Sequence, residues 1–241
     1  MNILNDSGEK GKVRAASGVG VLDKAVEILS LLAESGPTEL AGVVESTGIP
    51  RPTAHRLLSA LEAHHLAARD NGRYKLGLRL LGWGEVAAAG IDLVEAARPA
   101  LEALRDATGE STQLYVREGE ARVCVASVER SGGGLRDMVP VGAVLPLEQG
   151  SGGKVLLAWS DGGGSEELRR RVRSRGWAES VAEREAGVAS VSAPVFGPNG
   201  GLAAAVCASG PISRLGEHPG GRLAERVVAA AREIEGAVLG S

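Results

Sequence analysis

Between Arg51 and Ser59 the chain places Arg51, Thr53, His55, Arg56 and Ser59 close together, with Pro52 near the start of the run. Guanidinium, imidazole and hydroxyl groups at this density are donors that reach base edges and phosphates. Arginine grips guanine through two bonds at once. At about 100° per residue, Ala54, Leu57, Leu58 and Leu61 fall on one side of a helix. Pro52, Arg56 and Ser59 fall on the other, with Thr53 and His55 on its flanks. Pro52 suits a first helical position, where its missing N–H has no partner to lose. Further on, Arg69, Arg73 and Lys75 surround Asp70-Asn71-Gly72, the tip of a hairpin whose cations would grip a phosphate backbone. A merely solvated helix face has the same polarity. What separates the two readings is the sharp turn before this helix and the hairpin after it.

The elements that must hold these groups are legible. Apolar stripes predict helices over Leu22–Ser35 and Thr38–Thr47. Gly48-Ile49-Pro50 makes the turn, and the donor-bearing helix starts at Pro52. The order describes a winged helix-turn-helix over residues 21–76. Charge agrees: Arg51 to Arg79 holds six cations and two anions, whereas Val21 to Pro50 holds one cation and five anions. The whole chain carries only −3, so the positive charge is local. Such a patch supplies a salt-dependent attraction to phosphate even in an acidic protein.

With 241 residues, one or two domains are expected. Apolar content is 44% but aromatics are only 2%, so the cores must be built from Leu, Val and Ala. The two cysteines, Cys124 and Cys207, are too few for a disulfide scaffold and sit in apolar strand-like runs. They read as buried free thiols in a reducing cytoplasm. Cys207 has a sharper alternative as an oxidant or electrophile sensor. No apolar run approaches a membrane span. Residues 1–20 are polar, without a signal-peptide core, and read as a flexible arm.

Residues 77–90, with Leu78, Leu81, Trp83 and Val86, predict a linker helix. It carries more apolar surface than docking on a small domain needs. Self-association and packing on its own domain both remain open. From Ile91 to Ser241 the pattern mixes helices and strands. Helices are expected at Asp92–Thr108, Ser151–Trp159, Ser165–Arg175 and Gly221–Leu239. Strands are expected at Gln113–Arg117, Arg122–Glu129, Leu135–Val141, Gly187–Pro194 and Gly201–Ser209. The class is α+β with an antiparallel sheet.

Enzyme chemistry finds little support. Gly150-Ser151-Gly152-Gly153-Lys154-Val155 is superficially a phosphate loop. Glu148 stands where its first glycine belongs, and Val155 where its hydroxyl belongs. His55, His64 and His65 lie in or beside the third helix, and His218 lies in a Gly/Pro loop. No spacing suggests zinc, and no cofactor motif is present. A second, non-enzymatic class stays open: a metabolite-binding scaffold whose winged helix contacts proteins.

Along nearly its whole length the chain resembles the IclR family of transcriptional regulators. The matching pieces are Gly48-Ile49-Pro50-Arg51-Pro52-Thr53-Ala54-His55-Arg56-Leu57-Leu58, Tyr74-Lys75-Leu76-Gly77, Gly150 to Ala158, and Ser209-Gly210-Pro211-Ile212-Ser213-Arg214. Leu135 to Gly142 and Glu183 to Ser192 look most like the actinobacterial NdgR type, which is associated with amino-acid biosynthesis genes. The resemblance implies a homodimer or tetramer that binds double-stranded operator DNA. It also implies a GAF-like C-terminal domain that takes a small-molecule effector, often a carboxylate. By motif position the effector pocket would draw on Leu135, Met138, Gly152, Gly153, Ser190, Cys207 and Ser209. Backbone N–H groups at Gly152 and Gly153 would hold an anion at a helix N-terminus. The chain departs from relatives with oxo-acid ligands: Ser180 stands where they carry aspartate, with Glu183 a turn further on. A cysteine common near Ser190 is absent. An amino acid or 2-oxo acid is the expected effector, with an unoccupied sensor domain as the alternative.

Overall fold

The computed structural model describes residues 17–89, 92–130, 139–160 and 164–239. Most of the expected N-terminal arm lies outside them, as do Leu135 and Met138. The chain divides between Gly90 and Ile91 into two compact units.

In the first unit, Ile28 and Leu32 sit one helical turn apart and are buried on α1 (Gly20–Ser35). The helix starts two residues earlier than expected, and the Ser17 hydroxyl donates to Asp23 at 2.6 Å across that start. The expected helix from Thr38 begins instead at Leu40. Thr38–Glu39 form β1, which pairs with Arg73 and Tyr74, and α2 follows at Leu40–Thr47. Gly48, at φ +69°, ends α2, and its N–H donates to the Val44 carbonyl. α3 spans Arg51–Ala63. β2 (Ala67–Asp70) and β3 (Arg73–Leu76) form the hairpin. Asn71 and Gly72 at its tip both have positive φ, as a two-residue turn that follows the strand twist requires. Ala54, Leu57, Leu58 and Leu61 of α3 are buried with Ile28, Leu32, Val43, Ile49, Ala67 and Tyr74. α4 (Arg79–Ala89) closes this unit.

The second unit is a six-stranded sheet, antiparallel throughout, ordered β6-β5-β4-β9-β8-β7. Its strands are β4 (Ser111–Glu118), β5 (Ala121–Val128), β6 (Val144–Pro146), β7 (Ala178–Val181), β8 (Val188–Phe196) and β9 (Leu202–Pro211). Along β9, Ala204, Val206 and Ala208 join one core with α5 (Asp92–Thr108) and α9 (Gly220–Leu239). Ala205 and Cys207 join a second core with α6 (Gly150–Ala158) and α7 (Glu166–Arg175). Helices therefore cover both faces. That is why β9 reads as a continuous apolar run instead of alternating. α8 (Ile212–Leu215) is a single turn.

The expected strand at Leu135–Val141 is corrected. Its described part, Val139–Val141, is not strand, and the edge strand is β6. In the Ser209–Arg214 motif, Arg214 forms a two-point ion pair with buried Glu110, with Nε donating to Oε1 at 2.8 Å. A Cβ at Gly210 would strike that carboxylate. Most of this motif serves packing.

Candidate DNA interface and ligand pocket

On α3, Arg51, Pro52, His55, Arg56 and Ser59 are exposed and Thr53 is half-buried. The helix opens one residue before Pro52, where the Pro50 carbonyl accepts from the N–H groups of Thr53 and Ala54. The outward face is therefore the short, donor-rich one. Arg51 and Arg56 have no ion pair among the described residues. On the hairpin, Arg69, Arg73 and Lys75 are exposed, each with a neighbour. Arg69 lies 5.2 Å from the centre of the Tyr74 ring, Arg73 is 3.7 Å from Glu39, and Lys75 is 3.4 Å from Asp70. Both ion pairs are more than 40% exposed on each side, so they hold little energy and yield to a phosphate.

In the second unit, the first turn of α6 faces β4, β8 and β9 across a pocket. Its cavity volume is small, about 20 Å³, and it is partly open to solvent. Gly152, Ser190, Cys207 and Ser209 line it. Gly153 does not: its bare Cα faces the Leu147 carbonyl, which a Cβ would strike. Sequence reasoning missed Tyr115, Arg122, Gly150, Ser151, Arg184, Glu185 and Val188. The Ser151 hydroxyl donates to Ser190 at 2.7 Å and lies 2.8 Å from the Ser192 hydroxyl. Ser209 donates to Gln113 Oε1 at 3.2 Å. Ser180 pairs with Ser190 across β7 and β8 but does not line the pocket. Glu183 accepts from the Gly150 N–H at 3.2 Å and pairs with Lys154. This lysine thus serves an internal carboxylate, not a bound phosphate.

Burial raises the Tyr115 phenol well above its ordinary pKa and pushes the Cys124 thiol up to about 12, so both stay neutral near pH 7. Cys124 is therefore no thiolate nucleophile. Cys207 is buried and lies 3.8 Å from the Ser151 hydroxyl. No group of three metal-ligating side chains converges among the described residues. No described helix is long and apolar enough to cross a membrane.

Comparison with known proteins gives agreeing results. The model of the IclR helix-turn-helix domain matches residues 21–71. That of the bacterial transcriptional regulator IclR C-terminal domain matches 86–169 and 165–236. The HTH-type transcriptional regulator RhmR of Escherichia coli K12 is 30% identical over 91% of this chain and 93% of its own length. A transcriptional regulator of Rhodococcus sp. RHA1 superposes with TM-score 0.71 at 26% identity, covering 92% of this chain and 99% of that one. An IclR homologue of Microbacterium hydrocarbonoxydans, solved with 4-hydroxybenzoate, gives TM-score 0.70 at 23% identity, covering 92% and 100%.

Proposed function

Because this chain belongs to the IclR family of DNA-binding transcriptional regulators and not to an enzyme family, we propose how it recognises DNA and what it senses. The outward face of α3 enters the major groove. Arg56, Thr53, His55 and Ser59 reach base edges, and Arg51 meets base or phosphate. The observation that carries this reading is a donor-rich exposed helix face whose central arginine is unpaired among the described residues, beside a cationic hairpin. Arg69, Arg73 and Lys75 grip the backbone. Selecting binding sites from a random duplex pool tests it. Enrichment of a two-fold symmetric site, with half-sites on the order of 10 base pairs apart or a multiple of that, is expected. A pool that enriches no sequence contradicts it.

Arg73→Ala is expected to weaken native and shuffled duplex alike. It should lower the slope of log affinity against log salt by about one. Anisotropy titrations over a salt series check this, and an unchanged slope would remove Arg73 from the interface.

The protein works as a dimer or dimer of dimers in the cytoplasm. Leu78, Leu81, Trp83 and Val86 are exposed by 86%, 64%, 51% and 78%, a patch that a second copy would cover. Sedimentation of Leu81→Glu/Val86→Glu should show the mass halved. An unchanged mass would place the association surface elsewhere.

The pocket beside α6 senses a small carboxylate, an amino acid or its 2-oxo acid, in keeping with NdgR-type control of amino-acid metabolism. The hydroxyl-lined wall at Ser151, Ser190 and Ser209 supports this, as does the 4-hydroxybenzoate held by the Microbacterium homologue. Of the expected apolar wall, Leu135 and Met138 stay part of the proposal on motif position alone. The effector acts by binding two states of the domain unequally, with the linker helix carrying the change to the DNA-binding unit. Calorimetry against branched-chain and sulfur amino acids and their oxo acids tests it, and no heat from any of them would contradict it.

A further inference from the structure

Resting on that reading of the pocket, we propose that Arg122 is the residue that anchors the effector's anionic group.

Arg122 is a buried cation, 2% exposed, that lines the pocket. No carboxylate lies within ion-pair distance of it among the described residues. Nη1 donates to the carbonyls of Pro146 and Gln149, the latter at 2.5 Å. The guanidinium carbon lies 5.2 Å from the centre of the Tyr115 ring. Nε is buried and donates to nothing. Carbonyl dipoles and a ring face compensate a buried charge only in part, and burial lowers the guanidinium's pKa from its usual value. An anion beside it would supply the missing charge.

The surroundings are shaped for that approach. Gly150 and Gly152 border the guanidinium with no side chain between. A Cβ would stand 3.1 Å from Nη2 at Gly150 and 3.7 Å from Nε at Gly152. Both glycines belong to the first turn of α6, whose positive end favours the same sign of ligand charge. Behind Ser209, Gln113 is fully buried. Its Oε1 accepts from Ser209 while its Nε2 finds no acceptor. A buried donor without an acceptor on a pocket-lining cation calls for a ligand with an oxygen acceptor. Arg184 also lines the pocket, at the strap joining β7 to β8, where it pairs with Glu185 at 3.3 Å. A cation already facing a carboxylate is the weaker candidate for the anchor.

The test is calorimetry on the full-length protein with pyruvate, 2-oxoisovalerate and 4-hydroxybenzoate, and with 2-oxoisovaleramide as the uncharged partner of the second. Arg122→Gln should lower the affinity for each bound acid by at least about tenfold, the worth of a charge-assisted hydrogen bond. Arg122→Lys, which keeps the charge but not the fork, should fall between. The wild type should prefer the acid to the amide by a similar factor, and Arg122→Gln should lose that preference. Melting curves of each variant separate loss of binding from loss of fold. If Arg122→Gln does not fold, the acid–amide pair on the wild type still decides, because equal affinities overturn the anchor. Full affinity in a folded Arg122→Gln overturns it too, while leaving the effector pocket standing. Silence of the wild type toward all three acids removes the effector pocket and the anchor together.

Discussion

Replacing Arg56 by alanine is expected to cost operator affinity about 1–3 kcal/mol, a loss of roughly 5- to 150-fold, with far less effect on shuffled DNA. Arg56 is exposed on α3, and no described residue forms an ion pair with it. Nothing inside the protein therefore depends on the side chain. Alanine keeps the helix, and a surface change of this kind moves stability by no more than about 0.5 kcal/mol. What disappears is a fork able to bind both acceptors of one guanine. The loss must then fall on the cognate sequence, and base preference at one position should relax. Anisotropy titrations against native and shuffled duplexes measure both quantities. Equal losses on the two would make Arg56 a phosphate contact and refute its role in base recognition.

Gly153→Ala is expected to destabilise the protein by about 1–3 kcal/mol or more, although alanine is the better helix former. In an open helical position the exchange gains up to about 1 kcal/mol. At Gly153 a Cβ would run into the Leu147 carbonyl and stand 2.7 Å from Arg122 Nη1. A backbone oxygen has no rotamer to escape into, so the first turn of α6 must move away from the 146–149 loop. That shift also pulls on the carbonyls that hold Arg122, and ligand affinity should fall with stability. Gly236→Ala in α9 is the control, because nothing lies within 4 Å of its added methyl. Denaturant titrations should show opposite signs for the two. A Gly153→Ala protein as stable as Gly236→Ala would contradict the packing described here.

What could be read from sequence follows from which forces are local. α5 was legible to its ends, Asp92 and Thr108, because its apolar stripe is regular and Gly109 stops it. The inward and outward faces of α3 followed from periodicity alone. β1 was read as helix because two residues carry no period. Thr38 and Glu39 are strand only through pairing with β3. β7, with four residues, was invisible for the same reason. In the pocket, Ser190, Cys207 and Ser209 were reachable by motif, whereas Arg122 was passed over as an ordinary charged residue in a strand. Its signal was parity: two positions before buried Cys124, it shares that strand face and must be buried with it. Gly153 was taken for a ligand contact. The role it has, making room for the Leu147 carbonyl, depends on a loop path that no pattern in α6 encodes.

The most direct test of the central claim is anisotropy with the duplex just upstream of this protein's own gene and a shuffled duplex, over a salt series. The account predicts tight, strongly salt-dependent binding of the native duplex, and weaker binding of the shuffled one that falls equally steeply with salt. Binding that is indifferent to sequence and to salt would contradict it and turn the winged helix toward protein partners.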